Sequence, residues 1–220
     1  AHTNGTQNLK AIYSLNRVAS NMGKKGGILL NPESPIEGVS AAKATSTFSE
    51  FRALSEEMRA GNVSVLMVKD ADIYYGMTDT ADMKSALDSV PLIVSFGGMM
   101  DDTTSIADLI LPQHHFLEDW GTDVPVAGPG YEMIGFQQPV VRPFFEHRGS
   151  NLGTKGFADI LMTTAQVMGQ DLGLSADTFK EVIRNDARKL YELSRGQVVS
   201  SSFEGFWNGV LQRGGWWDTE

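Results

Sequence analysis

Polar side chains capable of chemistry cluster in LILPQHHFLEDWG, residues 109–121. This segment ends an apolar run and places His114 and His115 close to Glu118 and Asp119. Imidazole and carboxylate groups are metal ligands, so a metal centre is the first chemistry to consider. Successive residues of an extended chain point in opposite directions, so the two histidines cannot both face one metal. We therefore predict no metal site here and assign no catalytic residue, because the spacing pairs no base with the acids.

Further polar and small residues follow three apolar runs of the sequence. The runs are VSVLMVKD (63–70), PLIVSFGG (91–98) and DLILP (108–112). In open parallel sheets, ligands bind beyond the carboxyl ends of the strands. The candidate binding residues at those ends are Asp70, Asp72, Ser95, Gly97 and His114. An acid can accept hydrogen bonds from guanine or ribose, and a glycine lets a phosphate approach the backbone. The alternative for each residue is ordinary turn chemistry.

Composition excludes several functions. Cysteine is absent, which excludes disulfides, thiolate zinc sites and iron–sulfur ligation by this chain. The net charge of −9 argues against a nucleic-acid partner, because phosphate binding needs a basic surface. No apolar run approaches the roughly 18 residues of a membrane span, so we expect no direct membrane insertion.

The standard phosphate-binding motifs are also absent. No G-x-G-x-x-G follows a strand, and the sequence has no P-loop lysine motif. GKKGG (23–27) has two lysines that could cradle a phosphate. We expect it instead to end a helix, with Gly23 left-handed and the cations near the negative end of the helix dipole.

Apolar residues at helical spacing predict that helix near the N-terminus, with Thr3 or Asn4 as its cap. Its apolar stripe is formed by Leu9, Ile12, Leu15 and Val18. A second helix is predicted over 47–61, where Gly61 ends it.

The first two apolar runs enclose a helical segment with Thr78 or Asp79 as its cap. Strand, helix and strand within about 33 residues form a βαβ unit, which makes the two strands parallel. The third run, DLILP, is predicted to add another parallel strand. Because the runs are almost continuously apolar, both faces of the sheet should be covered. The predicted fold class is α/β: a doubly wound, mostly parallel sheet in a three-layer αβα arrangement.

The remaining sequence is predicted to complete a single α/β domain over residues 1–220. Residues 121–150 carry four prolines and five glycines and have no sustained helical or strand period, so a long irregular loop is expected. Two helices and a short amphipathic helix follow. Trp216 and Trp217 at the end of that last helix are predicted to serve packing or an interface.

Several of these segments resemble the molybdopterin oxidoreductases of the dimethyl sulfoxide reductase superfamily. The opening HTNGTQNLKAIYSLNRVASNMGKKGG is similar to the family's start and helix, and VSVLMVKDADIYYGMTD to its strand and turn. VPLIVSFGGMMDDTTSIADLILPQHHFLEDWG is similar to its next strands. LPQHHFLEDWG with GFQQPVVRPFFEHRG resembles in particular polysulfide-reductase-like subunits and the molybdopterin-like subunit of alternative complex III.

The resemblance implies that the chain is a fragment of the third domain of a larger subunit. That domain helps to bind the guanosine part of a molybdopterin guanine dinucleotide, so the resemblance adds Asn4 and Gly5 to the candidate cofactor-binding residues. The implied partners are other domains of the same subunit, together with iron–sulfur and membrane-anchor subunits of a respiratory complex. The implied location is periplasmic, or at the membrane through those partners, with the cytoplasm as the alternative. We expect no molybdenum or iron–sulfur cluster in the isolated chain, and weak binding of guanine nucleotides.

Two other functions stay open on the sequence. One is a non-catalytic structural domain of a respiratory complex, with a vestigial pterin site. Where the family has Asn-Pro after the first strand, this chain has DADI, Asp70 to Ile73, which keeps this function open. The other is a free-standing nucleotide-binding α/β protein.

Overall fold

A computed structural model of the chain describes residues 3–30, 32–36, 38–39, 45–77, 82–125, 129–143 and 153–219. The chain divides into two compact units, and each is described by itself. The first unit comprises residues 1–42, 122–136 and 186–220, and the second comprises residues 43–121 and 137–185. The prediction of a single domain stays a prediction.

The second unit contains a three-stranded parallel sheet whose strands run in chain order, β1-β2-β3. Its elements are α2 (Phe48–Arg59), β1 (Leu66–Val68), α3 (Ile73–Gly76), α4 (Met83–Asp88), β2 (Ile93–Ser95), α5 (Asp102–Ser105), β3 (Leu109–Ile110), α6 (Phe157–Val167) and the start of α7 (Phe179–Glu192). Met67 pairs with Val94 between β1 and β2, and Ser95 pairs with Ile110 between β2 and β3. The predicted parallel pairing of the three apolar runs is confirmed, and so is the α/β fold class.

Helices lie on both faces of this sheet. Ile93 belongs to a buried cluster with Met58 of α2 and Leu87 of α4. The ring of Phe96 meets the ring of Phe157, at the start of α6, edge to face with 4.8 Å between centroids. Side chains three residues apart in an extended segment point to opposite faces. The α2–α4 pair therefore lies against one face of β2, and the start of α6 contacts the other face at Phe96.

Helix α2 begins and ends as the sequence predicts. Thr47 and Glu50 form a reciprocal capping box at its start, and Gly61 follows its end with φ +75°. Helix α4 lies between β1 and β2 as predicted. The proposed caps Thr78 and Asp79 lie outside the described residues.

The first unit contains a second three-stranded sheet in the order β4-β5-β6. Its elements are α1 (Gly5–Val18), β4 (Gly121–Asp123), β5 (Glu132–Gln137), the end of α7, α8 (Phe203–Arg213) and β6 (Gly215–Asp218). Strands β5 and β6 are antiparallel, and Ile134 pairs with Trp216. Trp216 is fully buried, which confirms its predicted packing role, but it lies in a strand that follows the last helix.

Gly23 is left-handed as predicted, with φ +71°. Helix α1 ends five residues before it, however, so the predicted glycine cap is wrong. Its C-cap is Ala19, and the backbone N–H of Gly23 donates to the Ile28 carbonyl at 2.8 Å across a separate turn. No residue of α1 is buried. The predicted apolar stripe is instead exposed, with Leu15 at 69% and Val18 at 84%.

The segment 121–150 is more regular than predicted, because β4 and β5 both lie within it. The Thr122 hydroxyl donates to the Gly135 carbonyl at 2.9 Å, which links the two strands. Within the described ranges, no helix combines the length and apolarity that a membrane crossing requires.

Candidate functional site

A cleft of about 840 Å³ opens in the second unit, where β1 and β3 end. Its polar lining residues are Lys69, Asp70, Gln113, His114, His115, Glu118, Asp119, Gln137 and Thr154. Its aromatic lining residues are Phe116, Trp120, Phe157 and Phe179. The cleft therefore lies at the edge of the sheet at which the sequence predicts ligand binding.

Asp70, one of the predicted binding residues, lines the cleft and is exposed to it. Its side chain is 61% exposed, and its backbone is left-handed, with φ +52°. The Lys69 ammonium forms an ion pair with one carboxylate oxygen, and the Gln113 amide donates to the other. Lys69 also lies over the Phe157 ring, 5.3 Å from its centroid. Asp70 is thus an oriented and electrostatically balanced acceptor.

The Asp72 carboxylate is hydrogen-bonded to other residues of the chain. One of its oxygens accepts from the Thr103 hydroxyl at 2.7 Å and from the Tyr75 backbone N–H at 3.3 Å. These bonds, chiefly the one from the Thr103 hydroxyl, lower the pKa of Asp72 below its usual value. Asp72 caps α3 and ties it to α5, and it is not among the residues that line the cleft.

Ser95 and Gly97 shape the end of β2. Ser95 is buried, and its hydroxyl lies 2.8 Å from the Thr104 hydroxyl and accepts from the Gly97 N–H at 3.1 Å. A Cβ on Gly97 would lie 2.6 Å from the Thr104 Oγ1. Close packing explains both residues, and neither lines the cleft.

The two histidines have separate partners. His114 Nδ1 lies 3.1 Å from the Thr154 hydroxyl, whereas His115 Nδ1 accepts from the Leu117 N–H at 3.3 Å. The backbone N–H of His115 donates to the Glu118 carboxylate at 3.1 Å. Across the described part of the chain, no group of three or more His, Asp or Glu residues could hold a metal ion.

Asn4 and Gly5 belong to the first unit, where they start α1. The Asn4 side chain makes no capping bond. The backbone carbonyl of Asn4 accepts a hydrogen bond from the Asn8 N–H at 3.0 Å. A Cβ on Gly5 would meet open space. Their cofactor role, implied by the family resemblance, stays a prediction.

The aromatic walls of the cleft could not be found from the sequence. Phe157 and Phe179 are the first residues of α6 and α7, far along the chain from the strand ends. Trp120 is quoted in the loop motif, but its partner Lys180, 5.0 Å from the ring centroid, comes from α7. No local pattern encodes these contacts, because they depend on how the helices pack.

Comparison with known proteins gives two findings. One of the subunits of tetrathionate reductase from Salmonella typhimurium is 35% identical over 54 residues, which are 24% of this chain and 5% of that protein. The match thus spans a small part of that relative's length. Residues 1–151, more than half of the chain, match the family model described as molybdopterin oxidoreductase. The chain therefore belongs to the molybdopterin oxidoreductase family.

Proposed function

We propose that this chain is the α/β part of a molybdopterin-dependent oxidoreductase subunit, and that its cleft binds the guanosine part of a molybdopterin guanine dinucleotide. Family membership implies a molybdenum–pterin cofactor. The observation that carries the finer proposal is the exposed Asp70 carboxylate in a cleft of about 840 Å³ at the carboxyl ends of parallel strands.

The lining of the cleft fits a nucleoside better than a pyrophosphate. Asp70 supplies acceptors for the N–H groups of a guanine edge, and the aromatic walls suit a planar base. Lys69 is balanced by Asp70 and is accompanied by Glu118 and Asp119, so the lining residues that the structure describes offer no cationic clamp for phosphates. Other parts of the parent protein would hold the phosphates and the pterin.

This fit assigns separate roles to the cofactor and to the residues of this chain. When bound, the cofactor supplies the redox chemistry of the family. The residues of this chain bind and orient its nucleoside end: Asp70 accepts hydrogen bonds from the base, and the aromatic side chains exclude water from its faces.

Nuclear magnetic resonance of the 220-residue chain tests the proposal. Guanosine should shift the backbone amides of Gln113 and the indole of Trp120, and adenosine should shift them less at equal concentration. Binding should be weak, because the chain offers only part of the contact surface that a cofactor clasped between domains receives. Asp70→Asn should reduce the guanosine shifts, and Asp177→Asn, an exposed acid that does not line the cleft, should leave them unchanged. Equal responses to the two nucleosides would contradict a guanosine site.

A structural domain with a vestigial pterin site is the second candidate. The observation that favours it is the internal bonding of two predicted ligand residues, Asp72 and Ser95. This alternative predicts no response at the cleft to either nucleoside.

The wider setting is also a proposal. The name of the Salmonella relative marks it as one of the subunits of an enzyme, which supports partner subunits for the parent of this chain. We propose that the nearest partners are other domains of the same subunit, with iron–sulfur and membrane-anchor subunits beyond them, in a periplasmic or membrane-associated respiratory complex. The polysulfide-reductase-like subtype rests on the sequence segments alone. Co-purification of the full-length parent with its partners tests this setting.

A further inference from the structure

Gln113 is held in place before its side chain reaches Asp70. Its backbone N–H donates to the Phe96 carbonyl at 3.3 Å, which fixes it beside the end of β2. On its other side, Gln113 forms an isolated parallel β-bridge with Lys155. The adjacent backbone N–H of His114 donates to the Lys155 carbonyl at 3.1 Å. The Gln113 side chain therefore starts from a backbone that is tied on both sides.

Asp70 is equally restricted at the other end of the contact. Its left-handed backbone, with φ +52°, fixes the direction in which the side chain leaves the chain. The Gln113 amide donates to Oδ1, and the Lys69 ammonium pairs with Oδ2. Among the described residues, each carboxylate oxygen thus has one donor, and each keeps further acceptor capacity.

The chemistry of the pair determines how the Gln113 amide is turned. An ionised carboxylate only accepts hydrogen bonds, so the amide must present its NH₂ group to Asp70. Its carbonyl oxygen then remains an acceptor. Since Gln113 and Asp70 both line the cleft, they offer a ligand acceptors rather than donors. Because Lys69 already balances the Asp70 charge, a cationic ligand gains little from this arrangement.

We propose that Gln113 is a positioning residue that orients the Asp70 carboxylate for an uncharged heterocycle with adjacent N–H donors. This inference rests on the proposed function and names the specificity element of that same cleft. Guanosine, with a ring N–H next to an exocyclic amino group, belongs to this ligand class. Inosine keeps the ring N–H but lacks the amino group, so it should gain less from a correctly oriented carboxylate.

Nucleoside titrations of the full chain test the positioning role. Gln113→Leu should weaken guanosine binding about 3- to 10-fold, the effect of one net hydrogen bond, and should remove most of the preference over inosine. Gln170→Leu makes the same chemical change at an exposed position outside the cleft and should alter neither affinity. Wild-type affinities in Gln113→Leu, or an equal loss for both nucleosides, would overturn the proposal.

A second measurement needs no ligand. The side-chain NH₂ signals of Gln113 should move between the wild type and Asp70→Gly, because glycine accepts the left-handed backbone and removes the acceptor. Unmoved signals would overturn the proposal, whatever the titrations give. If those signals move but guanosine produces no response in the wild type, the proposed function fails and the contact between Gln113 and Asp70 stands.

Discussion

The Thr103 hydroxyl donates to the Asp72 carboxylate at 2.7 Å. This bond joins α5 to the start of α3, although the two residues are 31 positions apart in the sequence. The Thr103 N–H donates to the same oxygen at 3.2 Å, and the Thr103 hydroxyl accepts from the Tyr74 N–H at 2.9 Å. Thr103 is fully buried. The acid that the sequence offered as a ligand residue therefore fixes the loop that follows β1.

The first prediction concerns pH. Because hydrogen bonds lower the pKa of Asp72 in the folded chain, the ionised carboxylate stabilises the fold at neutral pH. That contribution is fully present above the unfolded pKa of an aspartate, about 3.9, and is lost as the pH falls through the lower folded value. Asp72→Asn should therefore be less stable than the wild type at pH 7, and the difference should shrink as the pH falls below about 4. Urea unfolding at several pH values measures it, with Asp177→Asn as the control. A difference that does not change with pH would contradict the assignment.

The second prediction concerns Gly97. Its Cβ position lies 2.6 Å from the buried Thr104 Oγ1, so Gly97→Ala should destabilise the chain by about 1–3 kcal/mol through overpacking. Gly98→Ala is the matched control, because nothing lies within 4 Å of its Cβ position. Urea unfolding of both variants at pH 7 gives the comparison. Equal stabilities would show that Thr104 can move aside.

The third prediction concerns an ion-pair network in the first unit. Glu132 and Asp218 face each other across β5 and β6, where like charges repel. Arg195 lies 2.6 Å from Glu132 and also forms an ion pair with Asp218, and these bonds, chiefly the one to Asp218, raise the pKa of Arg195. Arg195→Met should cost about 1–2 kcal/mol, less than a fully buried pair because the arginine side chain is 44% exposed.

Adding Asp218→Asn to that variant should recover part of the loss, because it removes one of the two facing charges. Denaturant unfolding of the single and double variants measures the recovery. A double variant that is less stable by the sum of the two single losses would argue against the network.

The sheet of the second unit could be predicted because its signals are local. The apolar runs around Val68 and Val94 are continuous, and the crossover between them is short enough to fix their direction. The glycine at position 61, which the sequence predicts to end α2, likewise acts within one helical turn.

Other features depend on packing that the sequence pattern does not state. The stripe of α1 has the spacing of a buried face, but exposure is decided by what packs on it. Ser95 and Asp72 have the chemistry of ligand residues, yet Thr104 and Thr103 occupy them. Strand β5 could not be predicted, because Gly135 and the neighbouring prolines resemble a loop.

The fourth prediction compares two leucines in helices. Leu190 of α7 is fully buried, so Leu190→Ala should cost about 2–5 kcal/mol. Leu15 of α1 is 69% exposed, so Leu15→Ala should change the free energy of unfolding by less than about 0.5 kcal/mol. Calorimetric or urea unfolding of the full chain measures both. A large loss for Leu15→Ala would show that the stripe of α1 is covered in solution.

The fifth prediction concerns the backbone of Asp70, whose φ of +52° lies in the left-handed region. Alanine pays a steric penalty there, and glycine does not. Asp70→Ala and Asp70→Gly both remove the carboxylate, so the difference between them isolates the backbone. The glycine variant should be more stable by about 1 kcal/mol.

At Asp177, whose φ is not positive, the same pair of substitutions should show no advantage for glycine. Unfolding in urea gives all four values. An alanine variant at Asp70 as stable as the glycine variant would mean that the chain relaxes out of this conformation, and the fixed direction of the carboxylate in the cleft would then have to be abandoned.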